Sequence, residues 1–164
     1  MSAYVIDSRL FKDQFGTEAM RRIFSDENVV QKWLEVEAGL AKVQAELGVI
    51  PDGAAAEIRR KSKIEYYDLD AMKREMDRTS HPIVPLLRAI KDVCEGDAGE
   101  YVHWGATTQD IMDTGTVLQI RRGPGRDRAQ SSKDDQATAD LMAATIKSRP
   151  SLALSRLLTT ARLR

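Results

Sequence analysis

The stretch between Ser25 and Gly48 constrains the fold more than any other part of this 164-residue chain. Its apolar residues recur at the spacing of one helix face, and Ser25 is a typical N-cap residue for such a helix. Gly48 stands where a glycine commonly ends a helix. These features predict an amphipathic helix of about 22 residues, whose broad apolar face must be buried against other elements. The residues of that face are Val29, Val30, Trp33, Leu34, Val36, Leu40, Val43 and Leu47.

Further helices are predicted over residues 53–61, 69–78, 82–93 and 108–121. Pro82 and Pro85 fall in the first turn of the third of them, where a missing backbone N–H costs little. No two segments show strand alternation joined by hairpin turn residues, and no internal repeat or heptad run occurs. The sequence therefore predicts an all-α fold class.

The chain changes character at the sequence RRGPG that begins at Arg121, where glycine and proline stop a helix. Residues 1–120 hold 15 Lys+Arg and 21 Asp+Glu, whereas the remaining residues hold 10 Lys+Arg and 4 Asp+Glu. All aromatic residues and every glutamate precede Gly105. We therefore predict a helical domain over 1–122 and a basic tail, poor in aromatics and poorly ordered, over 123–164.

The ten residues YVHWGATTQD that begin at Tyr101 carry the strongest functional signal. Their glycine allows a sharp turn, and Thr107 or Thr108 can N-cap the helix that follows. A helix start presents unpaired backbone N–H groups and the positive end of the helix dipole, which favour a bound anion such as a carboxylate. The alternative interpretation is a capped helix after a surface loop, with the histidine and tryptophan as packing residues.

The chain has two histidines, His81 and His103. Imidazole suits acid–base work because its ordinary pKa of about 6.5 allows proton exchange near neutral pH. Either histidine could equally be a polar cap or a surface group whose hydrogen bonds are satisfied.

The segment YVHWGATTQDIMDTGTVLQIR, residues 101–121, resembles the first signature region of the fumarase/aspartase superfamily. The similar branch is the one that holds adenylosuccinate lyase and 3-carboxy-cis,cis-muconate cycloisomerase. The resemblance extends through FSDENVVQKWLEVEAGLAKVQAELGVIP and TSHPIVPLLRAI, and covers about the first 120 residues. The family pattern H-x-G-x-T-[ST]-x-D is matched by His103, Gly105, Thr107, Thr108 and Asp110.

The resemblance implies a cofactor-independent elimination or addition beside a carboxylate. A base removes a proton, and aimed N–H groups and hydroxyls stabilise the dianionic aci-carboxylate that forms. Carried over by motif, the catalytic residues are His81 and His103, and the substrate-binding residues are Thr107, Thr108, Gln109 and Asp110. Intact members of the family are homotetramers that act on small carboxylate substrates, with sites built from three subunits. No cofactor and no metal ion is expected.

The substrate stays open, because neither subfamily pattern fits throughout. Adenylosuccinate lyases carry an Arg-Tyr pair near the N-terminus, and the equivalent stretch QFGTEAM, residues 14–20, has no arginine. Cycloisomerases, in contrast, usually lack a histidine at the position of His81.

Two further signature regions of the superfamily, G-R-T-H-x-Q and the serine-bearing G-S-S-x-M-P-x-K-x-N, do not occur in the sequence. We therefore expect a truncated and inactive lyase copy, whose residues 123–164 are either read in a shifted frame or a genuine basic tail. The alternatives are a gene remnant and a non-catalytic helical interaction module whose basic tail binds an anionic partner.

No apolar run approaches the ~20 residues of a membrane span, and the N-terminus lacks the apolar core of a signal peptide. The single cysteine, Cys94, suits a reducing compartment. We therefore expect a cytoplasmic protein without a membrane partner. Clustered arginines without interleaved aromatic residues do not favour nucleic-acid binding, and none is expected.

Overall fold

The computed structural model of the protein describes residue 4 and residues 8–121. This part of the chain is helical and contains no strand, so the all-α prediction is confirmed. Two short 3-10 helices, Ile64–Tyr66 and Ala98–Tyr101, lie in the connections. The α-helices are α1 (Glu18–Ile23), α2 (Asp26–Glu46), α3 (Asp52–Lys61), α4 (Leu69–Thr79), α5 (Val84–Val93) and α6 (Thr108–Ile120).

Helix α2 begins and ends where the sequence predicts. The Ser25 hydroxyl accepts a hydrogen bond from the Asn28 backbone N–H at 3.3 Å, which satisfies one of the donors left open at a helix start. Gly48 follows the helix with φ +69°, a conformation that glycine adopts without steric cost. The long amphipathic helix is therefore confirmed.

Helix α2 is the centre of the fold and packs against α3 and α6. Its contact with α6 is very close at Gly115, where an added Cβ would lie 2.7 Å from Cδ1 of Trp33. Only glycine permits this approach without a shift of the indole ring. Helices α4 and α5 cover another side of α2, through a buried cluster that contains Leu34, Met72 and Ile90.

The start of α5 differs from the prediction. Pro85 does lie in the first turn, but Pro82 precedes the helix, and Ile83 is its N-cap. The turn before it contains Ser80 in the left-handed region, with φ 52°. The short helix α1 was not predicted, because its six residues bury no side chain and so leave no apolar periodicity to detect.

The basic tail over 123–164 and its expected poor order lie outside the described residues. Within the described part of the chain, no helix has the length and apolar content that crossing a membrane requires.

Candidate functional site

The N-terminus of α6 is organised by Thr107 and Asp110. Thr107 is the N-cap, in extended conformation, and its backbone N–H donates to Asp110 Oδ2 at 3.2 Å in a capping-box arrangement. Asp110 is buried. The carboxylate of Asp110 therefore stabilises the helix start, and the dipole of a 13-residue helix adds positive potential beside Thr107.

His81 lies against this helix start. Its Nε2 is 3.5 Å from Thr108 Oγ1, across 27 residues of sequence. Its Nδ1 accepts a hydrogen bond from the Val84 backbone N–H at 3.3 Å. Because Nδ1 acts as an acceptor, the neutral ring carries its proton on Nε2, the nitrogen that faces Thr108.

Buried apolar residues fix the positions of His81 and Thr108 relative to each other. Ile83, two residues after His81, and Ile111, three residues after Thr108, belong to one core cluster together with Val36 of α2. Neither isoleucine is exposed to solvent. Since packed cores resist displacement, the imidazole and the hydroxyl are held near each other by rigid elements.

His103 has a different environment. Its backbone lies in the left-handed region with φ 62°, in a turn closed by a hydrogen bond from the Ala106 N–H to its carbonyl at 3.3 Å. Its Nδ1 is 2.6 Å from Oε1 of Glu37 in α2. The Glu37 side chain is 1% exposed, whereas that of His103 is 16% exposed. One edge of the imidazole is therefore bound to a buried carboxylate, and part of the ring reaches the surface.

A second polar residue of α2 holds the same loop. Gln44 is buried, and its Nε2 donates to the Trp104 carbonyl at 2.6 Å. The Trp104 side chain is largely exposed, and its ring centroid lies 6.4 Å from that of Tyr101. The backbone of the loop is thus tethered to α2, while the indole remains at the surface.

The structure joins some of the predicted site residues and not others. His81 and Thr108 face each other, and Thr107 caps the same helix start. Gln109 is exposed and donates to Asp113 one turn further along α6, at 2.6 Å. Among the described residues no hydrogen bond joins His103 to His81. The roles assigned to all six residues stay predictions.

Sequence reasoning missed Glu37 and Gln44. A signal for them was present, since both occupy positions of the apolar stripe of α2 that also carries Val30, Leu34 and Ala41. A charged or amide residue on a buried stripe requires a specific partner, because an unpaired polar group there is costly. That pattern points to a polar element packed on α2, which is the loop that contains His103.

An open cleft of about 530 Å³ lies elsewhere, between α2, α3 and the second half of α6. Its lining includes Gly39, Lys42, Arg59, Ser62 and Thr114, and none of the predicted site residues. The candidate site is therefore a surface at a helix start rather than this cleft. No group of three or more His, Cys, Asp or Glu within the described residues is placed to hold a metal ion.

Comparisons with known proteins match the chain to lyases and cycloisomerases. No protein-family model matches the chain. It is 46% identical over 121 residues to adenylosuccinate lyase from Methanocaldococcus jannaschii, and the matched region covers 74% of this chain and 25% of that protein. It is 42% identical over 117 residues to 3-carboxy-cis,cis-muconate cycloisomerase from Pseudomonas putida, covering 70% of this chain and 28% of the relative.

A solved structure gives the same result for the fold. The crystal structure of beta-carboxy-cis,cis-muconate cycloisomerase from Acinetobacter calcoaceticus superposes with a TM-score of 0.65 at 37% identity. The match covers 69% of this chain and 27% of that one. The chain thus spans about a quarter of the length of the curated relatives that it matches.

Proposed function

The chain belongs, through its N-terminal helical region, to the fumarase/aspartase superfamily, in the branch of adenylosuccinate lyase and carboxymuconate cycloisomerase, and on this premise we propose that the start of α6 binds a substrate carboxylate. The observation that carries the proposal is the contact between His81 Nε2 and Thr108 Oγ1, at 3.5 Å, beside the N-cap Thr107. A hydroxyl, an imidazole N–H and the positive end of a helix dipole then meet at one point. All three interact favourably with an anion.

The reaction class that suits this arrangement is cofactor-independent elimination or addition next to a carboxylate. Removal of a proton beside a carboxylate spreads negative charge onto its oxygens, and donors fixed in advance stabilise that charge. Thr108 and His81 Nε2–H can donate to one carboxylate oxygen each, whereas His103 offers a second imidazole for proton exchange. In this proposal Thr108 and His81 bind the carboxylate, and His103 exchanges a proton with the substrate.

The full reaction requires more than these residues. The relatives that match are about four times as long as the matched region, so the described helices correspond to one part of a lyase subunit. We therefore expect the 164-residue chain by itself to have no turnover, and we expect residues supplied outside this region to provide the remaining acid–base groups. Homotetramer assembly stays a prediction from the resemblance.

The test is a titration of the 164-residue chain with fumarate as the probe, followed by calorimetry and by amide NMR shifts. Binding should shift the amide signals at the start of α6. Thr108→Val keeps the side-chain shape and removes the hydroxyl, and a lost hydrogen bond to a charged group of about 1.5–3 kcal/mol predicts binding weaker by roughly 10- to 150-fold.

The matched control is Thr116→Val on the same helix. The Thr116 hydroxyl donates to the Met112 carbonyl at 2.9 Å and is not part of the helix start, so this variant should bind like the wild type. Equal affinity of the wild type and Thr108→Val, or shifts confined to another surface, would remove the carboxylate site from the start of α6.

A further inference from the structure

The buried carboxylate of Glu37 has one hydrogen-bonding partner among the described residues. Its Oε1 lies 2.6 Å from His103 Nδ1, and its Oε2 is buried with no partner there. The side chain stands on the buried stripe of α2 and is 1% exposed, where a carboxylate is costly unless it is paired. The interaction with His103 is therefore what accounts for a carboxylate at this position.

This contact bears on where the proton of His103 resides. When Glu37 is ionised, its carboxylate has acceptor sites only, and Nδ1 of His103 is then the donor in the bond of 2.6 Å. With Nδ1–H occupied by Glu37, the nitrogen left for other partners is Nε2. The His103 side chain is 16% exposed, so part of it is accessible from solvent.

His81 has the opposite arrangement. Its Nδ1 accepts the Val84 N–H, so its proton lies on Nε2 toward Thr108. The two imidazoles next to α6 therefore differ in kind. In their neutral forms, His81 presents an N–H donor, whereas His103 presents a bare Nε2 lone pair.

We propose that Glu37 is a positioning residue that holds His103 with its proton on Nδ1 and so makes Nε2 of His103 a hydrogen-bond acceptor at the site. Glu37 touches no substrate, and it acts through the ring that it orients. The group that donates to Nε2 rests on the proposed function. There, Nε2 of His103 accepts a hydrogen bond from a protonated substrate group, while His81 and Thr108 donate to the substrate carboxylate. The same logic of a carboxylate fixing a histidine tautomer is well established at metal and triad sites.

The experiment is a long-range 1H–15N NMR spectrum of the imidazoles in the uniformly 15N-labelled 164-residue chain. It is recorded above pH ~7.5, where an ordinary histidine is mostly neutral. The chain has only two histidines, so His81→Asn assigns both rings. We expect the pattern of an Nδ1–H tautomer for His103 and of an Nε2–H tautomer for His81.

Glu37→Gln tests the cause. The amide of glutamine can donate to Nδ1 as well as accept from it, so the Nδ1–H pattern of His103 should be lost or mixed with the other tautomer. The control is Glu46→Gln, which neutralises an exposed carboxylate on the same helix that pairs with Lys42 at 3.6 Å. It should leave both imidazole patterns unchanged.

An Nε2–H pattern for His103 in the wild type overturns the proposal, and this holds even if Glu37→Gln fails to fold. An unchanged Nδ1–H pattern in a folded Glu37→Gln overturns it as well. No substrate is needed for these spectra. A failure to bind fumarate therefore counts against the proposed function alone, while the tautomer result stands or falls by itself.

Discussion

Gly115 of α6 lies directly against the indole of Trp33 in α2, with room for no Cβ: one built on the glycine would be 2.7 Å from Cδ1 and 3.2 Å from Nε1. We predict that Gly115→Ala destabilises the protein by about 1–3 kcal/mol through overpacking, although alanine is the better helix former. Urea unfolding followed by circular dichroism measures the difference.

The control for this prediction is Gly39→Ala, in the middle of α2, where an added Cβ meets nothing within 4 Å. Alanine should there stabilise the protein by up to about 1 kcal/mol, because only helix propensity changes. Equal effects of the two substitutions would mean that the α2–α6 contact is looser than described.

Glu57 gives a prediction about pH. Arg60 donates to its carboxylate at 2.8 and 2.9 Å, and the Glu95 backbone N–H donates at 3.1 Å. These hydrogen bonds lower the pKa of Glu57 from its ordinary value of 4.5, and the bond from the Arg60 side chain has the largest effect. A carboxyl group whose pKa is lower in the folded than in the unfolded state stabilises the fold at pH values above its unfolded-state pKa. This contribution is lost as the pH falls through its folded-state pKa.

Glu57→Gln should therefore lower the melting temperature at pH 7, and the difference from wild type should shrink as pH falls below about 4.5. Thermal unfolding at several pH values measures this. The comparison variant is Glu65→Gln, an exposed residue whose carboxylate is 3.7 Å from Lys63 Nζ, which should show little effect at any pH. A Glu57→Gln difference that persists unchanged into acid would contradict the assignment.

Gln44 gives a prediction about the loop that contains His103. Gln44→Met conserves volume and removes the donor to the Trp104 carbonyl, while it also removes Oε1, a buried atom without a partner among the described residues. The two changes oppose each other, each on the order of 1 kcal/mol, so global stability should change little. The loop should open more often, and hydrogen exchange at the Ala106 N–H, which donates to the His103 carbonyl, should be faster. Unaltered exchange at Ala106 would show that the tether does not hold the loop.

The last prediction concerns turnover. The purified 164-residue chain should show no activity above background in absorbance assays with adenylosuccinate, argininosuccinate or 3-carboxymuconate near neutral pH. The reason is that the described residues offer the proposed anion site and two imidazoles, which is part of what such a reaction needs. Turnover that is present in the wild type and absent from His103→Ala would refute this expectation.

The helices could be predicted because their signals are local. Ser25 and Gly48 mark the ends of α2, and the apolar spacing between them indicates which face is buried. The N-cap Thr107 is another local signal, since a hydroxyl next to a helix start has a direct physical role. Helix α1 has a cap residue, Thr17, but no buried apolar face, and it was missed.

The contacts that build the site could not be predicted from local signals. His81 meets Thr108 across 27 residues, and Glu37 meets His103 across 66. Such distances in sequence depend on how α2, α5 and α6 pack, which periodicity alone does not determine. The motif resemblance placed both histidines in a site, but it gave no indication of Glu37, which lies outside the motif.

The spacing of Glu37 and Gln44 has a consequence for how this region can change in evolution. Seven residues make almost two full turns of an α-helix, so both side chains point the same way. Both also share their stripe with the core residue Leu34. One inserted or deleted residue between Leu34 and Glu37 would rotate the two tethers by about 100° relative to that core residue. The length of this helix is therefore under a tighter constraint than its exposed side chains, since a single indel would turn the two tethers of the His103 loop, and the core residue Ala41 with them, away from their partners.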